Sequence, residues 1–296
     1  MMEILDSISS LFFSTLRVST PLVFAAMAGL VSERSGVINI GLEGMMLGGA
    51  FGAAAFTHAT GSPEWGMLVG GFSGLLLAWI YGASVLTLRS NQIVAGMALN
   101  LFAVGLTPFL CKILYDSGGS SPSLELSQRF QAAPGYLAVG IVFILWAVLR
   151  WLPVGLWLQF AGEHPAALNA AGVRVVRVRW VAVLLSGFLA GLGGASLSIF
   201  LSSSFTRNMT AGRGFMAIAA LIFGKWRPIP AAVACLLFAF SDAAQLRLQG
   251  VVLWGQSPVP VQFVQMMPYL FTVILLAGFV GRSRAPKALG LPYDSA

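Results

Sequence analysis

Charge is scarce in this 296-residue sequence: Asp, Glu, Lys and Arg together make up 9% of it. A soluble domain usually carries about 25%. With 57% hydrophobic residues and a mean hydropathy of +0.85, the chain has more apolar surface than one water-exposed core of this length encloses. Cysteine is nearly missing as well. Cys111 and Cys235 fall in apolar runs far apart in sequence, which excludes a disulfide framework and a thiolate zinc site. The two histidines, His58 and His164, are expected in separate loops on opposite faces, with no matching acid and nucleophile nearby. No catalytic set, metal site or cofactor site is legible. The first ten residues, MMEILDSISS, hold two acids and no basic region, so no cleavable secretory signal is expected. A nucleotide-hydrolysing loop is missing too: in the GKW of residues 224–226 a tryptophan stands where the phosphate loop needs Ser or Thr, and the upstream glycine is absent.

What the chain has instead is apolar runs near the roughly 20 residues that a spanning helix requires, without the period-2 alternation of membrane strands. They fall at about residues 11–31, 37–57, 65–88, 92–114, 135–153, 180–201, 205–224, 228–248 and 263–281. The expected fold is all-α, a polytopic transmembrane bundle of about nine spans (8–10) forming a single domain over residues 1–296. Segment 205–224 is interrupted by Arg207, Asn208, Arg213 and Gly214, which predicts a broken or re-entrant helix. Such a break is tolerated at membrane depth only where protein or a wet cavity satisfies the backbone. The 34 glycines, several spaced as Gly44, Gly48, Gly52 and as Gly187, Gly191, suit close helix packing in lipid.

A net charge of +7 raises the question of nucleic acid, but in a membrane chain the bias of Lys and Arg toward cytoplasmic loops explains it. Nine crossings with the N-terminus outside place 11 of the 17 basic residues inside, including a C-terminal cytoplasmic tail at 282–296.

Three polar stretches interrupt this pattern. Residues 33–44 read ERSGVINIGLEG, with Arg34 on the inner side beside Glu33 as a possible ion-pair partner. Residues 154–179 are too polar for lipid, yet Glu163, His164 and Pro165 suit a helix start and Gly172 a stop. A short cytoplasmic helix is predicted there, either an interfacial connection or a docking peg. Inside the spans, Asn39, Glu43, Asn100, Asp242 and Gln245 are candidates to line a substrate path, with interhelical hydrogen bonding the competing role of each. Asp242 and Gln245 share one helix face.

Taken together, ERSGVINIGLEGMMLGGAF, AGEHPAALNAAGVRV, SGFLAGLGGA, MTAGRGFMAIAALIFGKW, FAFSDAAQLRLQG and MMPYLFTVILLAGF with LGLPY resemble, in order, the permeases of ATP-binding-cassette importers. The branch is the ribose and branched-chain amino acid one, most closely its nucleoside type. The resemblance covers nearly the whole chain. It implies a bacterial inner-membrane permease, not itself an enzyme. Implied partners are a paralogous permease, a cytoplasmic ATPase and an external substrate-binding lipoprotein.

The resemblance also implies that residues 162–174 form the coupling helix, with Gly162, Glu163, Pro165, Ala167, Asn169, Ala170, Gly172 and Arg174 facing the ATPase. Residues 33–44 would then be a discontinuous segment beside the path, in which Gly36, Gly41 and Gly44 act as a hinge while Asn39 and Glu43 satisfy freed amides or face a wet cavity. The alternatives are an ion-coupled secondary transporter and an importer permease for sugars or another small solute.

Overall fold

The computed structural model describes residues 2–248, 266 and 284–293; for residues 2–8 and 246–248 it describes the backbone alone. The predicted crossing at 263–281 therefore lies outside the described residues, apart from residue 266. Regular structure among the described residues is helical, with one isolated bridge between Ser120 and Thr206. The α-helices are α1 Met2–Arg34, α2 Leu42–Thr60, α3 Pro63–Gly82, α4 Gln92–Tyr115, α5 Ala133–Trp151, α6 Pro153–Glu163, α7 Pro165–Ala170, α8 Val175–Ser196, α9 Arg213–Phe223 and α10 Pro228–Leu248. Short π-helices extend α3 (Ala83–Thr87) and α8 (Leu197–Leu201).

Six of the described helical stretches are long and apolar enough to cross a membrane: Ser9–Arg34, Pro63–Thr87, Gln92–Tyr115, Leu126–Trp151, Val175–Leu201 and Pro228–Gln245. Two of the other predicted crossings differ for physical reasons. The first, α2, holds Glu43, His58 and many small residues, and is walled in by α3, α4 and α8, so it needs little hydropathy of its own. The second, at 205–224, is helical only from Arg213 to Phe223. Eleven residues reach about 16 Å, half the thickness of a bilayer core.

The centre of the bundle is α8, the most enclosed span, while α4 and α5 are the least enclosed. Contacts along α8 fix the helix directions. Asn39 meets Ser186 and Ala50 meets Ser198, so α2 runs parallel to α8. Arg17 meets Phe200 and Ser35 meets Arg179, so α1 runs antiparallel to it. The end of the bundle carrying Ser35, Arg179 and α7 is the one that the basic-residue count predicts to be inside, and it is called the inner end below.

Close packing rests on missing side chains. A Cβ on Gly49 would stand 2.5 Å from Gly191 Cα, and one on Gly74 would stand 2.6 Å from the same atom, so α2, α3 and α8 touch backbone to backbone.

Candidate functional site: two interrupted helices and an inner-face junction

Between α1 and α2 the chain leaves the helix for residues 35–41, and most of this backbone is buried. Buried peptide groups must find partners, and here other elements supply most of them. Local bonds take the first turn: the amides of Ser35, Gly36 and Val37 donate to Ser32 and Glu33 carbonyls, and Ser32 Oγ donates to the Val37 carbonyl. Beyond that turn, Gln92 Oε1 accepts from Ile38 N at 2.7 Å, and the Tyr81 hydroxyl donates to the Ile38 carbonyl. Asn100 makes two bonds, donating through Nδ2 to the Ile40 carbonyl at 3.0 Å and accepting the Gly44 amide at 2.8 Å. Asn39 is fully buried and donates to Ser186 Oγ at 3.0 Å, while its own Oδ1 has no hydrogen-bond partner among the described residues.

Glycine is required where this segment turns. Gly36 has φ +93°, a left-handed value that a side chain strains, and a Cβ there would stand 2.8 Å from an Arg179 nitrogen. Gly44 lets α2 reach α4, since a Cβ would lie 3.0 Å from Asn100 Oδ1.

The second interruption precedes α9. Residues 203–207 run beside the α4–α5 connection: Leu124 N donates to the Ser203 carbonyl, Ser121 N to the Phe205 carbonyl, and Arg207 N to the Gly119 carbonyl. Phe205 stacks edge-on against Phe51 of α2, with ring centroids 5.5 Å apart. The chain then turns through positive φ at Asn208, Ala211 and Gly212 and starts α9 at Arg213.

Glu43 joins the two interruptions. It lies in the first turn of α2, eight residues and thus about 12 Å along the helix from Phe51. Its carboxylate accepts the Gly212 amide at 2.8 Å and the Gly214 amide at 2.7 Å. A buried carboxylate costs free energy unless hydrogen bonds replace its water, and the free amides and positive dipole end of α9 provide them. Asp242 and Gln245 lie half-buried on α10, where the Arg213 cation at the start of α9 acts on Asp242.

At the inner end a second cluster forms around Arg179, whose side chain is almost wholly enclosed. Its Nε donates to the Ser35 carbonyl at 3.1 Å, Nη1 to Leu291 at 2.9 Å and Nη2 to Ala161 at 3.3 Å. Residues 284–293 thread into the same junction, where Gly290 N donates to the Gly36 carbonyl and Ala288 N to the Gly162 carbonyl. Gly162 has no room for a side chain, because a Cβ would collide with the Arg34 carbonyl. Glu33 and Arg34 do not pair with each other. Neighbours on a helix point about 100° apart, and both bind Trp226 instead: Trp226 Nε1 donates to Glu33 at 2.6 Å, and Arg34 Nε donates to the Trp226 carbonyl at 2.8 Å.

From this junction α7 projects. Pro165 occupies its first turn, and a glycine stop ends it: Gly172 has φ +83°, Gly172 N donates to the Asn169 carbonyl and Val173 N to the Leu168 carbonyl. Six residues cannot hold a helix alone. Leu168 anchors this one in a small core with Ala161 and Val175, leaving Ala167, Asn169 and Ala170 exposed. Glu163 and Arg174 flank it, with Glu163 Oε2 accepting from Lys287 N at 3.4 Å.

Sequence reasoning missed Arg179, Tyr81, Gln92 and the separate helix α6. Arg179 is one of three arginines in 174–179, and composition does not tell which one turns inward. Leu152-Pro153, a helix-start signal, marks α6. His58, expected in a loop, lies in the last turn of α2 against Tyr115.

Residues 11–279 match the family model described as branched-chain amino acid transport system / permease component. Over 99% of the chain and 98% of the relative, the sequence is 36% identical to the guanosine ABC transporter permease protein NupQ of Bacillus subtilis. It is 35% identical to the nucleoside ABC transporter permease protein NupC of Lactococcus lactis, covering 99% of both chains. A further relative is the guanosine ABC transporter permease protein NupP, also of Bacillus subtilis, at 27% identity over 90% of this chain and 81% of the relative.

Proposed function

This chain belongs to the branched-chain amino acid transport system / permease component family, and from that premise we propose that it forms one half of the path by which an ATP-driven importer moves nucleosides inward. The other half is a paralogous permease, a reading supported by the two guanosine permeases, NupQ and NupP, of one organism. ATP hydrolysis belongs to a separate cytoplasmic subunit, and solute arrives from an external binding lipoprotein. The chain acts as a single permease domain in the bacterial cytoplasmic membrane, with its N-terminus outside and its tail inside. In support stand the 11 inner basic residues against six outer ones.

The observation that carries the mechanism is the chain of bonds from the end of α6, at the base of α7, to the first interruption. Ala161 and Gly162, at the base of α7, share Arg179 and residues 288–291 with Ser35 and Gly36. Force applied to the exposed face of α7 by a moving ATPase passes into residues 35–41, and through Glu43 into the start of α9. Two discrete packings of these segments then correspond to outward-open and inward-open states, and ATP acts by favouring one of them. In this reading Asn39, Glu43 and Asn100 hold the hinge of Gly36, Gly41 and Gly44. Asp242 and Gln245, with the exposed Asn208, are the polar groups left to meet solute along the path.

Uptake of labelled guanosine, adenosine and uridine by cells with and without the gene tests the proposal, with glucose as competitor. Loss of nucleoside uptake on deletion is expected. Uptake blocked by glucose alone makes the solute a sugar. Uphill transport by the lone purified chain on a proton or sodium gradient overturns the ATP-driven reading.

A further inference from the structure

We propose that the groove between α1, α5, α6 and α8 is a binding site for an anionic phospholipid of the inner leaflet. The groove has a volume of about 520 Å³. Its floor is Leu30 and Val31 of α1, and Val181 and Leu185 of α8 form part of one wall. The charged groups in its lining, Arg174 and Arg177, sit together at the inner end. A pocket for a compact polar solute has polar groups converging from several sides. Here the polarity is confined to one end of an apolar trough, which is the pattern of an amphiphile with its head at the arginines.

Length and depth agree with that occupant. From Arg174 to Leu185 the groove follows α8 for eleven residues, about 16 Å, which is close to one leaflet of a roughly 30 Å hydrocarbon core. Trp151 and Trp157, 67% and 42% exposed at the α5–α6 corner, mark the height of the headgroups. Val181 is 63% exposed, so the trough is open along its side to a lipid chain. Both guanidiniums are exposed and make no ion pair or side-chain hydrogen bond among the described residues, leaving their donors free for a phosphate. Basic pockets between spans on the cytoplasmic side recognise anionic headgroups in this way. Gly172 and Val173, the stop of α7, line the same groove, so a seated lipid braces the base of that helix.

The test uses the complex purified with its co-expressed partner subunits in mild detergent and exposed to equal amounts of phosphatidylglycerol and phosphatidylcholine, with bound lipid read by native mass spectrometry. Retention of phosphatidylglycerol about tenfold over phosphatidylcholine is expected, because both carry a phosphate but only phosphatidylglycerol brings a net negative charge to the two arginines, without a choline cation to offset it. The preference disappears in Arg174→Gln/Arg177→Gln, and Leu185→Trp, which fills the trough while keeping both arginines, lowers retention of both lipids. A photoreactive benzoylphenylalanine in place of Val181 crosslinks to lipid. Equal retention of the two lipids by the wild type, an unchanged preference in the arginine variant, or crosslinking of residue 181 to a protein chain overturns the proposal.

Discussion

A single carboxylate holding two backbone amides inside the bundle makes Glu43 the residue whose chemistry is most constrained. Glu43→Gln keeps the shape but replaces one acceptor oxygen with a donor facing an amide. One charge-assisted bond is lost and the helix dipole is no longer answered, a destabilisation of about 2 kcal/mol. Thermal unfolding of the purified complex should show it as a lowered midpoint, with Glu43→Ala lower still. Arg179 makes a different demand. Its three nitrogens reach three carbonyls that lie on separate segments, and a lysine offers one compact ammonium that cannot span them. Arg179→Lys should therefore free residues 284–293, seen as faster cleavage of the tail in limited proteolysis. The sequence marked Glu43 because an acid in an apolar run has to be accounted for. It could not show that the amides it satisfies belong to residues 212 and 214, 169 or more positions away. Arg179 was hidden for the converse reason, since a basic residue near the inner surface already fits the charge bias.

Elements were legible where local chemistry decides them and obscure where neighbours do. The boundaries of α7 follow from Pro165 and Gly172, and the break before α9 follows from the polar residues that lipid would reject. In α2, packing outweighed hydropathy, and 35–41 adopts its path because Tyr81, Gln92, Asn100 and Arg179 grip it from outside. Two predictions belong at this scale. Ala167→Glu, on the exposed face of α7, should leave membrane insertion intact and lower nucleoside uptake at least tenfold while ATP hydrolysis continues, measured side by side in membrane vesicles. Gly191→Leu should wedge α3 away from α8 and α2, costing about 1–3 kcal/mol or more, again visible as a lowered unfolding midpoint.

At the scale of the whole molecule, three of the described helices are knit most tightly and the other described helices are laid around them. Backbone contacts at Gly49, Gly74 and Gly191 bind α2, α3 and α8 into one body. The exposed apolar faces of α4 and α5 are consistent with lipid or a second permease beside them. Transport should accordingly need the pair: vesicles holding this chain and the ATPase without the paralogue should show no uptake above background.

The threading of residues 284–293 through the inner junction also bears on how the protein is made. These residues leave the ribosome after every described helix, so the Arg179 cation waits in an unfinished cradle until they emerge. Closure of the inner face therefore follows synthesis of the helices that it joins. A copy cut before residue 284 would leave one Arg179 nitrogen and the Gly36 and Gly162 carbonyls without these partners, and so present a loosened junction beneath α7.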